Sequence, residues 1–248
     1  MSHFTVAVML KDKNKLEEIL APYDENLEVP RYVKYTKEQL IEKEKKSIEK
    51  YKNDTYAEFL KDPIEYKNKY KNEAHIKYLE EEFPKRLNWT DEEIYQHEIQ
   101  YYEEEEIGEN GEVYSTYNPN SKWDWYSIGG RWNKILLTNK DNEDVVEEEE
   151  FGLFNYCDDK KTPDGYKWVN GAKIKDIDFN KMNEGKEEPF YTWALVDETG
   201  WYEQGEMGWW AMSDATDEST NTFIEKFQEY IKAEENQDKY LIIVDCHI

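Results

Sequence analysis

The chain closes on Tyr240-Leu241-Ile242-Ile243-Val244-Asp245-Cys246-His247-Ile248, an apolar run rich in β-branched residues. Such a run is typical of a strand that is buried on both faces near the centre of a sheet. A similar run, His3 to Met9, opens the chain and predicts a second buried strand. Because a buried terminal strand needs neighbours, we expect the first strand to pair with the last.

That pairing would bring His3 close to Asp245 and His247, which share one face of the last strand. His3-Phe4-Thr5 also fits the His-x-Thr pattern of two-histidine phosphoesterases, in which paired histidines act as general acid and base. The sequence has no second such pattern, so His247 would replace it, with Asp245 or Glu206 as the orienting or metal-binding carboxylate. His3, Asp245 and His247 are the catalytic candidates if the protein is an enzyme. Otherwise His3 is a terminal surface residue and His247 ends a strand.

The stretch from Tyr117 to Trp132 combines turn residues, aromatic side chains and an arginine. After the turn, alternation along a strand would place Trp123, Trp125 and Ser127 on one face. Two glycines then permit positive φ or close approach of a ligand, and the following guanidinium suits phosphate or carboxylate. The alternative is a core strand with a bulge, whose arginine is paired with a carboxylate. A second cluster of aromatic residues and glycine follows at Glu206 to Trp210. The two stretches supply the ligand-binding candidates: Trp123, Trp125, Tyr126, Gly129, Gly130, Arg131, Trp132, Glu206, Trp209 and Trp210.

The composition of the 248-residue chain combines a net charge of −25 with 15% aromatic residues. High charge alone would suggest disorder, but disordered chains are poor in aromatic residues, so a folded protein is predicted. Cys157 and Cys246 are too few for a disulfide framework, and a reducing cytoplasm fits them. The charge would repel nucleic acid and anionic membranes, so neither is an expected partner, and we expect a cytoplasmic protein without a membrane span.

The order of predicted elements indicates an α+β fold, a single domain over residues 1–248 with a largely antiparallel sheet covered by helices on one face. Residues 35–106 are rich in Lys, Glu and Tyr and carry helix-capping signals at Thr36, Asp62 and Thr90, which predict a helical insertion. A hairpin over 190–203 and an amphipathic helix over 218–233 precede the last strand. A ferredoxin-like core is one option; the strand order is not derivable.

Four short blocks of the sequence resemble a family of uncharacterised bacteriophage proteins. The blocks are Met1 to Val6, Asn118 to Tyr126 with Gly129 to Trp132, Trp201 to Trp210, and Val244 to Ile248. The resemblance implies a phage origin, hence the cytoplasm of an infected cell, and a shared site. It implies no reaction. Phage accessory proteins often act against host defence, which suggests that context by analogy.

Three functions fit these observations. The first expectation is a protein that binds and sequesters a small nucleotide, such as a host defence signal, because indole and phenol faces stack bases and an arginine neutralises phosphate. The alternative is a metal-independent or metal-assisted phosphodiesterase that cleaves such a nucleotide. A third is an acidic inhibitor that mimics nucleic acid and binds a host defence protein. No cofactor and no metal site are predicted, and the oligomeric state is left open.

Overall fold

The computed structural model describes residues 2–147, 161–208 and 212–248. The chain divides into two compact units, one formed by Met1–Glu28 with Tyr117–Ile248 and the other by Val29–Thr116. The insertion predicted for 35–106 lies within the second unit. That unit extends further at both ends because its flanking strands, β2 (Tyr32–Tyr35) and β3 (Val113–Ser115), pair with each other.

The first unit has the predicted α+β architecture. Its helices are α1 (Leu16–Leu20), α8 (Phe179–Asn183) and α9 (Asp217–Lys232). Its strands are β1 (His3–Leu10), β4 (Trp125–Ile128), β5 (Leu136–Asn139), β6 (Val145–Val146), β7 (Tyr166–Val169), β8 (Gly171–Lys173), β9 (Ala194–Asp197), β10 (Gly200–Glu203) and β11 (Tyr240–His247). The predicted opening strand, closing strand, hairpin and amphipathic helix are therefore confirmed.

A seven-stranded sheet forms the core of this unit, in the order β10-β9-β1-β11-β8-β6. Strand β4 also pairs with β11, along the part of β11 that β8 leaves free. All neighbours are antiparallel except β1 and β9, which are parallel. The sheet is thus mixed and departs from a ferredoxin-like core, whose sheet is antiparallel.

Helices cover both faces of the sheet, so the prediction of helices on one face was wrong. On one face, Phe223, Phe227 and Ile231 of α9 pack against alternate residues of β1 and β11. On the other, Leu16 and Leu20 of α1 pack against the intervening residues. The reason is that β1 and β11 are apolar at nearly every position, and each apolar face has to be removed from water.

The second unit is mainly helical, and its predicted caps are confirmed. Thr36 and Thr90 each close a capping box, and Asp62 accepts hydrogen bonds from the first turn of the helix that Pro63 begins. Its helices are α2 (Lys37–Tyr51), α3 (Ala57–Lys61), α4 (Pro63–Lys69), α5 (Glu73–Lys77), α6 (Phe83–Arg86) and α7 (Asp91–Ile99). Among the described residues of both units, no helix is long and apolar enough to cross a bilayer.

A polar cluster around Asp144 fixes the beginning of β11. The carboxylate accepts a hydrogen bond from the Tyr240 hydroxyl at 2.6 Å and forms ion pairs with Lys13 at 2.9 Å and Lys173 at 3.1 Å. These three donors, Tyr240 first, hold the pKa of Asp144 well below its ordinary value. Burial, followed by the bond to Asp144, raises the pKa of Tyr240 to about 12.

We predict that replacing Asp144 removes stability in a pH-dependent way. Because the folded pKa lies below the unfolded one, the carboxylate stabilises the fold above about pH 4 and ceases to do so as the pH falls further. Asp144→Asn should therefore lower the free energy of unfolding at neutral pH by about 1 kcal/mol, since the side chain is partly exposed. Urea unfolding at several pH values measures it. Asp141→Asn, an exposed control, should change nothing.

Candidate functional site

Two histidines meet at the end of the sheet where β1 begins and β11 ends. The register sets His3 directly opposite His247, and their ring centroids are 4.9 Å apart. Both side chains lie on the face shared with Asp245, because alternate residues of a strand point the same way. The prediction that strand pairing brings His3 near Asp245 and His247 is confirmed.

Each histidine is held by its own carboxylate. His3 Nδ1 lies 2.8 Å from Asp245 Oδ1, and His247 Nδ1 lies 2.6 Å from Asp124 Oδ1. A carboxylate only accepts, so each Nδ1 carries a proton and donates it, which leaves Nε2 to take up or release a proton. Within the described ranges, neither Nε2 has a hydrogen-bond partner. The pair is therefore fixed in orientation with two nitrogens free for proton transfer.

Trp125 is the exposed member of the site. Its indole stacks on the His247 ring at 5.0 Å with an interplanar angle of 18°, and it meets the His3 ring edge-on at 5.3 Å. Despite these contacts, 45% of the residue remains exposed. An indole that is supported from one side and open to solvent offers a platform on which another aromatic ring can stack.

The Gly129-Gly130-Arg131 turn wraps around Asp245. The Arg131 backbone N–H donates to Asp245 Oδ2 at 2.9 Å, so this buried carboxylate binds the turn with one oxygen and His3 with the other. Both glycines have positive φ. A Cβ on Gly130 would overlap Asp245 and lie 2.6 Å from Ser127 Oγ. Of the two predicted options, positive φ or close approach of a ligand, the structure shows positive φ at both glycines; Gly130 lets the turn approach Asp245, and Gly129 lies against Asn170.

The Arg131 side chain is half-buried and makes no hydrogen bond or ion pair with any residue that the structure describes. The chain has 57 acidic residues, and none of the described carboxylates pairs with this guanidinium, although the Arg131 backbone binds Asp245. Among the described residues, Arg131 is therefore not the paired core arginine of the alternative interpretation. Within the same ranges the guanidinium has no partner that an anionic ligand would have to displace.

Trp123 and Tyr126 lie on the other face of the sheet, and the predicted common face of Trp123, Trp125 and Ser127 was wrong for Trp123. Strand β4 begins only at Trp125, so alternation does not extend back to residue 123. Instead Trp123 is buried, its indole N–H donates to the Leu20 carbonyl at 3.3 Å, and its ring meets Tyr126 edge-on at 5.1 Å. Of these two predicted ligand-binding residues, Trp123 is a core residue and Tyr126 is partly buried against the same core.

Two further residues near the site also belong to the core. Trp132 packs against the cluster beneath α9, although it was predicted to bind ligand. Cys246, between Asp245 and His247 in sequence, points into the opposite core. Burial, and secondarily the charge of Asp245, raises the pKa of its thiol, which stays protonated and is no competing nucleophile.

The later motif block approaches the site only in part. Ser2, which precedes His3, donates from Oγ to the Gly208 carbonyl at 2.9 Å. Glu206 is exposed, and no contact among the described residues joins its carboxylate to the histidines. The predicted binding residues Trp209 and Trp210 lie outside the described residues. Three of the four blocks therefore converge on one site, and the fourth reaches its border.

Asp124 is a site residue that sequence reasoning missed. The predicted ligand-binding residues include its neighbours Trp123 and Trp125 and not Asp124 itself. Its backbone N–H donates to the His247 carbonyl at 3.0 Å, which places its carboxylate against the ring of the same residue. The sequence does show that Asp124 lies within the aromatic stretch. It does not show the partner of this carboxylate, because His247 lies more than 120 residues away.

The described residues include one set of side chains at metal-ligand spacing, and it lies in the second unit. Ligand atoms of Glu44, His97 and Glu98 lie within 4.8 Å of one another. Glu44 is already ion-paired with Arg86, and His97 Nδ1 donates to Glu98 at 3.2 Å. Because a fixed guanidinium competes with a cation for Glu44, we assign no metal site here.

Comparison of the chain with models of protein families, with curated proteins and with solved structures finds no match. The site is a pair of carboxylate-bound histidines beside an exposed indole, with the backbone of Arg131 bound to one of the two carboxylates.

Gly130→Ala tests the packing of the turn on Asp245. The new methyl group adds overlap with Asp245 to the strain of positive φ, so the free energy of unfolding should fall by about 3 kcal/mol or more. Gly165→Ala is the matched control, since Gly165 also has positive φ but open space around it, and should cost about 1 kcal/mol. Equal losses in urea unfolding would mean that the turn does not need the close approach.

Proposed function

We propose that the protein is a phosphodiesterase that cleaves a small nucleotide by general acid–base catalysis. The observation that carries this proposal is the pairing of His3 with His247, each bound through Nδ1 to a carboxylate. Carboxylate-oriented histidines with free Nε2 atoms are suited to proton transfer at neutral pH. A protein that only binds its ligand does not require two such histidines side by side.

In this mechanism one histidine removes a proton and the other supplies one. The neutral ring takes the proton of the attacking hydroxyl, from water or from the sugar, through Nε2 as the new P–O bond forms. The protonated ring donates its Nε2 proton to the departing oxygen as the old P–O bond breaks. With water, the products are a phosphomonoester and an alcohol. Asp124 and Asp245 hold the rings in position and stabilise whichever ring carries the charge.

Trp125 and Arg131 supply the binding contacts in this proposal. A nucleobase stacks on the open face of Trp125, and base–aromatic stacking contributes about 1–3 kcal/mol per base. The Arg131 guanidinium pairs with the phosphate. Its backbone also holds Asp245, so the phosphate-binding turn and the His3 carboxylate form one connected structure.

Sequestration without cleavage is the second candidate. The exposed indole, and a guanidinium that pairs with none of the described residues, favour it as much as they favour an enzyme. In either case, the resemblance to phage proteins leads us to propose a host antiviral defence nucleotide as the ligand. The two candidates differ in the fate of that ligand. One experiment therefore separates them.

Incubation with a panel of cyclic and linear nucleotides, followed by denaturation and analysis of the released material, should show cleaved product. His3→Ala and His247→Ala should each reduce the cleavage rate by about 10²–10⁴-fold, because each removes one proton-transfer group. His75→Ala, a histidine of the second unit bonded to Tyr66, is the control and should leave the rate unchanged. Recovery of intact nucleotide from the unaltered protein would favour sequestration.

Arg131→Ala should weaken nucleotide binding at least about tenfold while leaving the melting temperature nearly unchanged, because it removes a charge-assisted contact to ligand and no contact within the described fold. Calorimetric binding and thermal unfolding are measured side by side. Arg131→Lys should recover part of the affinity, since it restores the charge without the planar fork. A large loss of stability with unaltered affinity would make the arginine structural.

A further inference from the structure

We infer that the substrate is a short nucleotide with one or two phosphates, and that the protein's own charge excludes long nucleic acid. The inference rests on the proposed cleavage of a phosphodiester and specifies its substrate. Its starting point is the contrast between a net charge of −25 and the small number of groups at the site that can bind an anion or a base.

The binding groups of the site match a single nucleotide unit. Arg131 offers one guanidinium that pairs with none of the described residues. Lys122, which precedes β4 in the sequence, is held by Glu203 at 2.6 Å. Trp125 offers one open indole, whereas Trp123 and Tyr126 pack in the core. Proteins that bind single strands use a run of cations and several aromatic platforms, one for each successive base. The described residues of this site provide one of each.

Long-range electrostatics act against every additional phosphate. The repulsion between two like-charged bodies grows with the product of their charges, so a long polyanion is repelled far more than a dinucleotide. Salt screens this repulsion, because the Debye length falls from about 30 Å at 0.01 M to about 8 Å at 0.15 M. Raising ionic strength should therefore favour the encounter, which is opposite to the behaviour of proteins that bind nucleic acid through a basic surface.

Three substrates that share one cleavable linkage test the inference. They are a dinucleoside monophosphate, an oligonucleotide of about 20 residues, and an oligonucleotide of the same length whose other linkages are uncharged methylphosphonates. The ratio kcat/KM is measured for each at about 20 mM and about 200 mM NaCl. The methylphosphonate oligonucleotide has the length of the charged oligonucleotide but the charge of the dinucleotide, so it separates the effect of charge from that of length.

At low salt, we expect kcat/KM for the dinucleotide to be at least tenfold higher than for the charged oligonucleotide. The value for the methylphosphonate oligonucleotide should be close to that for the dinucleotide. For the charged oligonucleotide, kcat/KM should rise at least twofold with salt. Equal or faster cleavage of the charged oligonucleotide, or a fall with salt, would overturn the inference. Should no substrate be cleaved, the proposed function fails, and calorimetric affinities of the same three molecules still decide the length preference by the same criteria.

Discussion

The structure of the first unit depends on the antiparallel ladder between β1 and β11. It runs without interruption from His3 opposite His247 to Leu10 opposite Tyr240. Because side chains alternate with a period of two, this one register assigns each residue of both strands to a face. In this register Ala7 and Ile243 lie beneath α9, and Val6 and Val244 lie on the face covered by α1. The polar residues His3 and His247 lie at the end of the ladder where β1 begins. A slip by one residue would separate the histidines and turn every side chain of the slipped strand to the opposite face.

Asp245 links this ladder to the rest of the site. It is a buried carboxylate, which is costly unless its oxygens are hydrogen-bonded. One oxygen accepts from His3 and the other from the Arg131 backbone, so the cost is offset by contacts that also orient both groups. Asp124 is more exposed and holds a single histidine. Asp245 and Asp124 thus each orient one histidine, the first from a buried position and the second from a partly exposed one.

The sequence predicted the elements whose signal is local. Short apolar runs located β1 and β11, helical periodicity located α9, and the apolar character of the terminal strands suggested that they would pair. The strand order, the face of Trp123 and the partner of Asp124 depend on contacts between distant segments, which local patterns do not encode. The glycines of the turn show this limit well. Their positive φ was foreseeable, but the groups they approach, Asn170 and Asp245, were not.

His3 and His247 lie at opposite ends of the chain described, so the site cannot form until β11 has been synthesised and has inserted beside β1. A contact between segments so distant in sequence closes a long loop, which costs conformational entropy. Folds that depend on such contacts form slowly. A nascent or proteolysed chain that lacks β11 loses one histidine, both carboxylate contacts of Asp245 and the centre of the sheet together. The histidine pair and the finished sheet are therefore acquired in the same step.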